Sequence, residues 1–353
     1  MKTVARLALK PGMITGEDAV NFNGDVIVPA NTELTSIKIA KLARHDIMAV
    51  TIKEKIDLAT THFERVRCSE GFQSFVSVYQ KFFPVYKTLL MNFVLYRQTF
   101  NIDDLMKVYD NITAAAGTQE LLLDYLYNMV PSEDDMTHAH CLNAALIAGV
   151  FGNWLNLSEG DRTILIQTGF VYDIGKLRIP DQILWKTGKL EDSERNLLRK
   201  HARMGYDMVK NLPLNVHIPI ATLQHHERID GSGYSEGLKG DAINPFAKYI
   251  AIVDTYEAMT SARVYRQSLN PFQVIAHYEE SRGYERYERD ALKTILSRIA
   301  HTQLGLNVRL HDGTEAEVVS INEHALSLPL VKILRNNTLY DTAQNGNPVE
   351  AVL

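Results

Sequence analysis

Only two cysteines, Cys68 and Cys141, occur among the 353 residues, so neither a disulfide framework nor a cysteine zinc site can be built. They read as ordinary buried thiols of a protein from a reducing compartment. No run approaches the ~20 apolar residues that cross a bilayer, and the amino terminus carries no apolar signal core. A cytoplasmic protein with no membrane span is expected. Positive charge is not in excess: 37 Lys and Arg stand against 42 Asp and Glu, for a net charge of -5, which argues against capture of long nucleic acid. No internal repeat or low-complexity stretch is found, so a solenoid is excluded. What remains, 46% hydrophobic and 22% charged residues, is the composition of an ordinary globular protein. The length suggests roughly two or three units.

Residues 1–55 hold turn signals (Pro11-Gly12, Asn23-Gly24, Pro29) around short β-rich runs such as Asp25 to Val28, which predicts a small β-containing unit. The apolar spacing from Leu34 to Leu42 adds one short helix. Residues 56–115 read as a helical connector, with Phe75, Val78, Tyr79, Phe82 and Phe83 along a packing face. Helical periodicity continues through 116–304 and holds most of the unusual chemistry. From 305 to 353 the pattern changes to strands: Val308 to Leu310 and Glu317 to Ile321 around His311-Asp312-Gly313 form a hairpin, and Leu326 to Leu334 supplies another strand. The expected fold class is mainly α, a helical core with a small β-containing amino-terminal unit and short carboxy-terminal strands.

Twelve histidines are present, and their placement matters more than their number. Asp173 follows a helix capped by Ser158 and Asp161, where an unpaired carboxylate in apolar company is costly. His201 lies on the stripe Leu197, His201, Met204, Met208, Leu212. His225 and His226 end an apolar helix just before Asp230-Gly231-Ser232-Gly233-Tyr234. Neighbouring side chains on a helix diverge by ~100°, so these two rings can serve one cation only where the helix end itself lies against the site. Asp254 stands in the apolar run Ile250 to Val253, on a helix begun by Asn244 and Pro245. Each residue alone is explained by a satisfied core histidine or a capping carboxylate. Together, imidazoles and carboxylates offered by several helices suit zinc, iron, manganese or nickel.

The ordered set Tyr172-Asp173-Ile174-Gly175-Lys176, His201 with Gly205, HHERIDGSGY ending at Tyr234, and Asp254 with AMTSARVYR ending at Arg266 resembles the HD-GYP phosphodiesterases over residues 116–304. The resemblance implies an all-helical core that hydrolyses cyclic di-GMP to pGpG or GMP with two or three metal ions, often iron or manganese. It implies that Asp173 bridges two metals, that His201, His225 and His226 complete one shell, and that Asp254 serves the neighbouring ion. His140 matches a histidine that serves a third metal. Lys176, Arg263 and Arg266 match residues near the phosphates, and Tyr234 matches the signature tyrosine. Candidate partners are a GGDEF-type cyclase or other signalling protein, and a second copy of the chain.

Three departures stand against this pattern. Tyr172 replaces the signature histidine, Met136 replaces a glutamate of the trinuclear members, and Ser235 replaces the proline after Gly233-Tyr234. At most two divalent metals are therefore expected, with the second site weakened, since a phenol is a poor ligand for a divalent ion. A metal-dependent phosphodiesterase is the leading expectation. A degenerate module that binds cyclic di-GMP or a partner without turnover is the alternative, and Tyr172 is the feature that favours it.

Overall fold

The computed structural model describes residues 1–54, 61–132, 135–184, 186, 188–261 and 268–353, and their contacts gather into two units, Met1–Ser69 and Glu70–Leu353. In the first unit the β-rich runs pair locally. β1 (Lys2–Ala5) runs antiparallel to β4 (Ala49–Ile52), and β2 (Ala19–Val20) pairs with β3 (Val26–Val28). Between them lies α1 (Ser36–Arg44), opened by the Thr35 hydroxyl, which accepts from the Lys38 amide. Leu9, Ile27, Val28, Leu34, Leu42, Val50 and Ile52 form its core. α2 (His62–Cys68) closes the unit and begins with a reciprocal capping box between Thr61 and Glu64.

The second unit begins with α3 (Glu70–Tyr96), α4 (Ile102–Ala116) and α5 (Gln119–Asn128). On α3 the buried line is Phe72, Phe75, Tyr79, Tyr86, Leu90 and Val94. The expected packing face was thus partly right: Val78, Phe82 and Phe83 are only half-buried. Two tyrosines of that line use their hydroxyls as anchors in the core. Tyr79 donates to the Asn143 side chain at 2.9 Å and Tyr86 to the Phe170 carbonyl at 2.8 Å, which satisfies groups that burial would otherwise strand.

α6 (Met136–Trp154) runs through the middle of this unit and is buried almost all round, as expected of a helix with apolar residues on every face. α7 (Glu159–Val171) packs on it so closely that a Cβ at Gly169 would lie 2.5 Å from Cα of Ala145. Ser158 caps α7 by accepting from the Asp161 amide. There follow α8 (Asp181–Leu184), α9 (Asp192–Arg199), α10 (His201–Val209), α11 (His217–Gln224), α12 (Pro245–Thr260), α13 (Pro271–Glu280), α14 (Gly283–Arg286) and α15 (Arg289–His301). The stripe read from Leu197 to Leu212 is corrected here. The chain breaks at Lys200 between α9 and α10, and the buried face of α10 is His201, Ala202, Gly205 and Val209, while Met204 and Met208 are half-buried. No helix among the described residues is long and apolar enough to cross a membrane.

The carboxy-terminal strands make one antiparallel sheet in the order β8-β7-β6-β5-β9. Its members are β5 (Asn307–Leu310), β6 (Glu315–Ser320), β7 (Leu330–Ile333), β8 (Leu339–Asp341) and β9 (Val349–Val352), with α16 (Thr342–Asn345) before the last. The strand expected over Leu326 to Leu334 is shorter than read, because Asn322 to Leu328 turns back on itself through backbone bonds. Asn270 on the α13 cap donates to the Glu350 carbonyl at 2.8 Å, and Glu279 accepts from the Leu326 amide at 2.9 Å. These bonds tie the sheet to the helices.

Candidate metal centre

Five segments end at, or turn inward on, one buried spot. α7 stops at Tyr172, and Asp173 begins the 3-10 turn Ile174–Arg178 with its side chain fully buried. α10 starts against that turn: a Cβ on Gly175 would stand 1.9 Å from the His201 carbonyl oxygen, so only glycine allows this approach. α11 ends at Gln224, which leaves His225 as its cap and lets His225 and His226 splay toward the same side, ring centroids 4.1 Å apart. α12 contributes Asp254 and, one turn on, Glu257; α6 contributes His140.

These groups fall into two sets. The donor atoms of His201, His225 and His226 lie within 4.8 Å of one another, and so do those of His140, Asp173 and Asp254. Asp173 faces both. Its Oδ1 is 3.3 Å from Nε2 of His201 and 3.9 Å from Nε2 of His225, while its Oδ2 is 3.4 Å from Nε2 of His140.

Proton placement distinguishes the two sets. Nδ1 of His201 donates to the Leu198 carbonyl at 2.6 Å and Nδ1 of His225 to the Thr222 carbonyl at 2.7 Å. A carbonyl only accepts, so both rings carry their proton on Nδ1 and turn Nε2 inward. Burial holds both rings neutral, pushing His201 down to about 3 and His225 to about 4, and it drives His226 well below the usual range. Two bare Nε2 atoms therefore face each other at 3.2 Å beside Oδ1 of Asp173, which has no hydrogen-bond donor among the described residues. Acceptors gathered without a donor are costly in a dry site, and a cation is what such a set fits.

The other set is rich in protons. Glu257 accepts from Nδ1 of His140, and Asp254 Oδ1 stands 3.0 Å from its Nε2. Burial works against charge on His140, but Glu257 and Asp254 outweigh it and raise the ring to about 10. Glu257 is itself held by the Asn143 amide at 3.2 Å and by the Ser261 hydroxyl. The Tyr172 hydroxyl lies 2.5 Å from Nε2 of His140 and donates to Asp254 Oδ1 at 3.1 Å. Burial first, then the charges of Asp254 and Asp173, keep it a neutral phenol, well above its usual range. Lys176 places Nζ 2.5 Å from Asp173 Oδ2. Burial opposes its charge too, but Asp173 and Asp254 hold the ammonium above its ordinary value.

Residues 124–291 match the family model of the HD domain, a span that includes every group just described. Over 164 residues the chain is 36% identical to the cyclic di-GMP phosphodiesterase response regulator RpfG of Xanthomonas campestris pv. campestris, covering 46% of this chain and 43% of that protein. Over 203 residues it is 30% identical to the cyclic di-GMP phosphodiesterase PA4108 of Pseudomonas aeruginosa, covering 57% and 49%. The chain is similar to the HD domain over residues 124–291, and to segments of these cyclic di-GMP phosphodiesterases. A third relative, the 3'3'-cGAMP-specific phosphodiesterase 1 of Vibrio cholerae, is 38% identical over 159 residues, 44% of this chain and 37% of that one. The chain thus spans less than half the length of each of these relatives.

Of the residues that the HD-GYP resemblance singles out, Asp173, His201, His225, His226, His140, Asp254 and Lys176 come together. Arg263 and Arg266 lie outside the described residues. Tyr234 is half-buried, its ring stacked on His226 with centroids 4.6 Å apart and the Arg199 guanidinium 5.1 Å from its centre. Met136 is the first residue of α6, one turn before His140. Sequence reasoning gave no role to Glu227 and overlooked Glu257. Glu227 is buried and accepts from the amides of Glu236, Gly237 and Leu238 at 2.6, 3.1 and 3.0 Å, which pins the loop behind Tyr234. The signal for Glu257 was present, a second carboxylate one helical turn beyond Asp254 on an apolar helix.

Proposed function

We propose that this chain carries an HD-GYP domain, a metal-dependent phosphodiesterase that opens cyclic di-GMP. The observation that carries the reading is Asp173, a buried carboxylate with one oxygen toward the three histidines and the other toward His140. His201, His225, His226 and Asp173 would hold a divalent cation, iron or manganese suiting their nitrogen and oxygen donors, with His140 and Asp254 on the far side. When bound, such an ion supplies Lewis acidity to water and to phosphoryl oxygens. Lys176 adds a fixed positive charge beside Asp173 where charge grows on a phosphoryl oxygen. The resemblance brings Arg263 and Arg266 to the same task. Tyr234, stacked on His226, orders that ring and leaves the outer loop to meet a base.

A second reading, a module that binds cyclic di-GMP without turnover, is favoured by one observation: Tyr172 satisfies His140 and Asp254 with a hydroxyl. The two readings separate in one assay. The full chain is incubated with cyclic di-GMP and, in parallel, with 3'3'-cGAMP, with Mn²⁺ or Fe²⁺ or with EDTA, and products are resolved by ion-exchange chromatography. The enzyme reading expects linear dinucleotide or mononucleotide from cyclic di-GMP, abolished by EDTA and by Asp173→Asn. Calorimetric binding with no product would establish the second reading, and neither binding nor product would refute both.

A further inference from the structure

We infer that Tyr172 makes the centre one-sided, so that the chain holds a single divalent cation, on the three-histidine side, while the side of His140 and Asp254 is closed by a hydroxyl and an ammonium. This rests on the reading of the cluster as a metal centre and concerns only how many ions that centre takes.

Distances between donor atoms carry the inference. Atoms that share one ion at about 2.0–2.2 Å, at angles between octahedral and tetrahedral, stand roughly 2.8–3.6 Å apart. His140 Nε2 is 3.0 Å from Asp254 Oδ1 and 3.4 Å from Asp173 Oδ2, so these three residues by themselves have the spacing of a second ion site. The Tyr172 hydroxyl stands too near His140 for that spacing, though not too near Asp254. It lies 2.5 Å from His140 Nε2 and 3.1 Å from Asp254 Oδ1, a hydrogen-bonding position against the two donors an ion would need. Across the cluster the Lys176 ammonium sits 2.5 Å from Asp173 Oδ2, on the third.

The phenol has little room to withdraw. Tyr172 is fully buried, its ring set between His140, centroids 5.6 Å apart, and His225, edge-on at 5.1 Å. Moving the hydroxyl off His140 moves the ring against one candidate ligand or the other, and close-packed interiors resist such shifts. Opposite it, the three-histidine set has no comparable plug: the bare nitrogens of His201 and His225 and Asp173 Oδ1 face one another with no donor of their own among the described residues. Tyr172 is therefore a residue that determines metal number rather than a ligand.

The test is the number of Mn²⁺ ions bound by the full-length chain, read by calorimetric titration and by metal analysis after gel filtration, together with the electron paramagnetic resonance spectrum of the bound manganese. Wild type is expected to bind one equivalent with the hyperfine-resolved spectrum of an isolated ion. Tyr172→Phe, which removes only the hydroxyl, and Tyr172→His, which replaces it with an imidazole donor, are each expected to add a second equivalent, with the broadened spectrum of an exchange-coupled pair. Two equivalents in wild type, or one in wild type and in both folded variants, would overturn the inference and leave the metal centre standing. No Mn²⁺ bound by wild type would overturn the metal-centre reading itself. The wild-type count decides the matter even if a variant fails to fold.

Discussion

Nε2 of His201 and Nε2 of His225 face each other at 3.2 Å, each ring having its proton committed to a backbone carbonyl on the other side. An ion placed among these nitrogens binds the folded chain alone, so it must stabilise that chain. At a hundredfold excess over its dissociation constant the gain is about 2.7 kcal/mol, which for a unit of this size raises Tm by roughly 5–10 °C. Mn²⁺ added to EDTA-treated protein is expected to give such a rise in a calorimetric scan, and His226→Ala to lose most of it. An unchanged Tm with wild type would remove the basis for a cation at these three rings.

The metal-free chain is expected to be most stable near neutral pH. His201, His225 and His138 have folded values of about 3, about 4 and about 4, each lowered chiefly by burial from an ordinary 6.5. Below pH about 6.5 the unfolded chain takes up protons at these rings and the folded chain does not, so stability falls as pH drops toward about 4. His140 has the opposite sign. Its folded value of about 10 gives stability that is complete below about 6.5 and is lost as pH rises from there to about 10. Urea denaturation in EDTA across this range is expected to trace a dome. Neither ring nitrogen of His138 has a partner among the described residues, so His138→Leu is expected to flatten the acid limb without loss of stability at neutral pH. A steeper acid limb in that variant would count against this account.

Glu257 closes a buried network, taking Nδ1 of His140, the Asn143 amide and the Ser261 hydroxyl. Deleting it leaves three donors in the core without their acceptor, one of them Nδ1 of the charged His140 ring. Glu257→Ala is expected to cost about 3–5 kcal/mol, measured by urea denaturation, with Glu257→Gln costing less because its amide oxygen still accepts. A loss below about 1 kcal/mol would mean the network relaxes around the gap.

Gly175 fixes the distance between Asp173 and His201. An added methyl would meet the His201 carbonyl at 1.9 Å and the Gly205 amide at 2.7 Å, backbone atoms that cannot rotate away. Gly175→Ala is expected to cost about 1–3 kcal/mol through overpacking and to weaken Mn²⁺ binding at the same time, because α10 must shift and takes His201 with it. Unaltered stability together with unaltered Mn²⁺ affinity would show that the turn yields without moving the ligand.

The amino-acid sequence by itself determined the helical elements and which residues could act. The Ser158 and Asn244 caps, the apolar helices ending at Asp173 and at His225-His226, and the carboxylate of Asp254 in an apolar run are all local patterns, and local patterns carry helix boundaries and faces. The limits of local pattern show in α10, where an apolar stripe through Met204 and Met208 suggested one long face, yet packing chose His201, Ala202, Gly205 and Val209. They show again in β8 and β9, short strands whose partners supply what their own sequences do not. Only the tertiary structure decided that the Tyr172 hydroxyl comes to rest between His140 and Asp254, 32 and 82 residues away. That position depends on how closely α7 approaches α6 at Gly169 and how α10 seats on the turn at Gly175. Such separations are set by packing across the core, to a few tenths of an ångström, and at that scale a hydroxyl's place decides whether an ion has room.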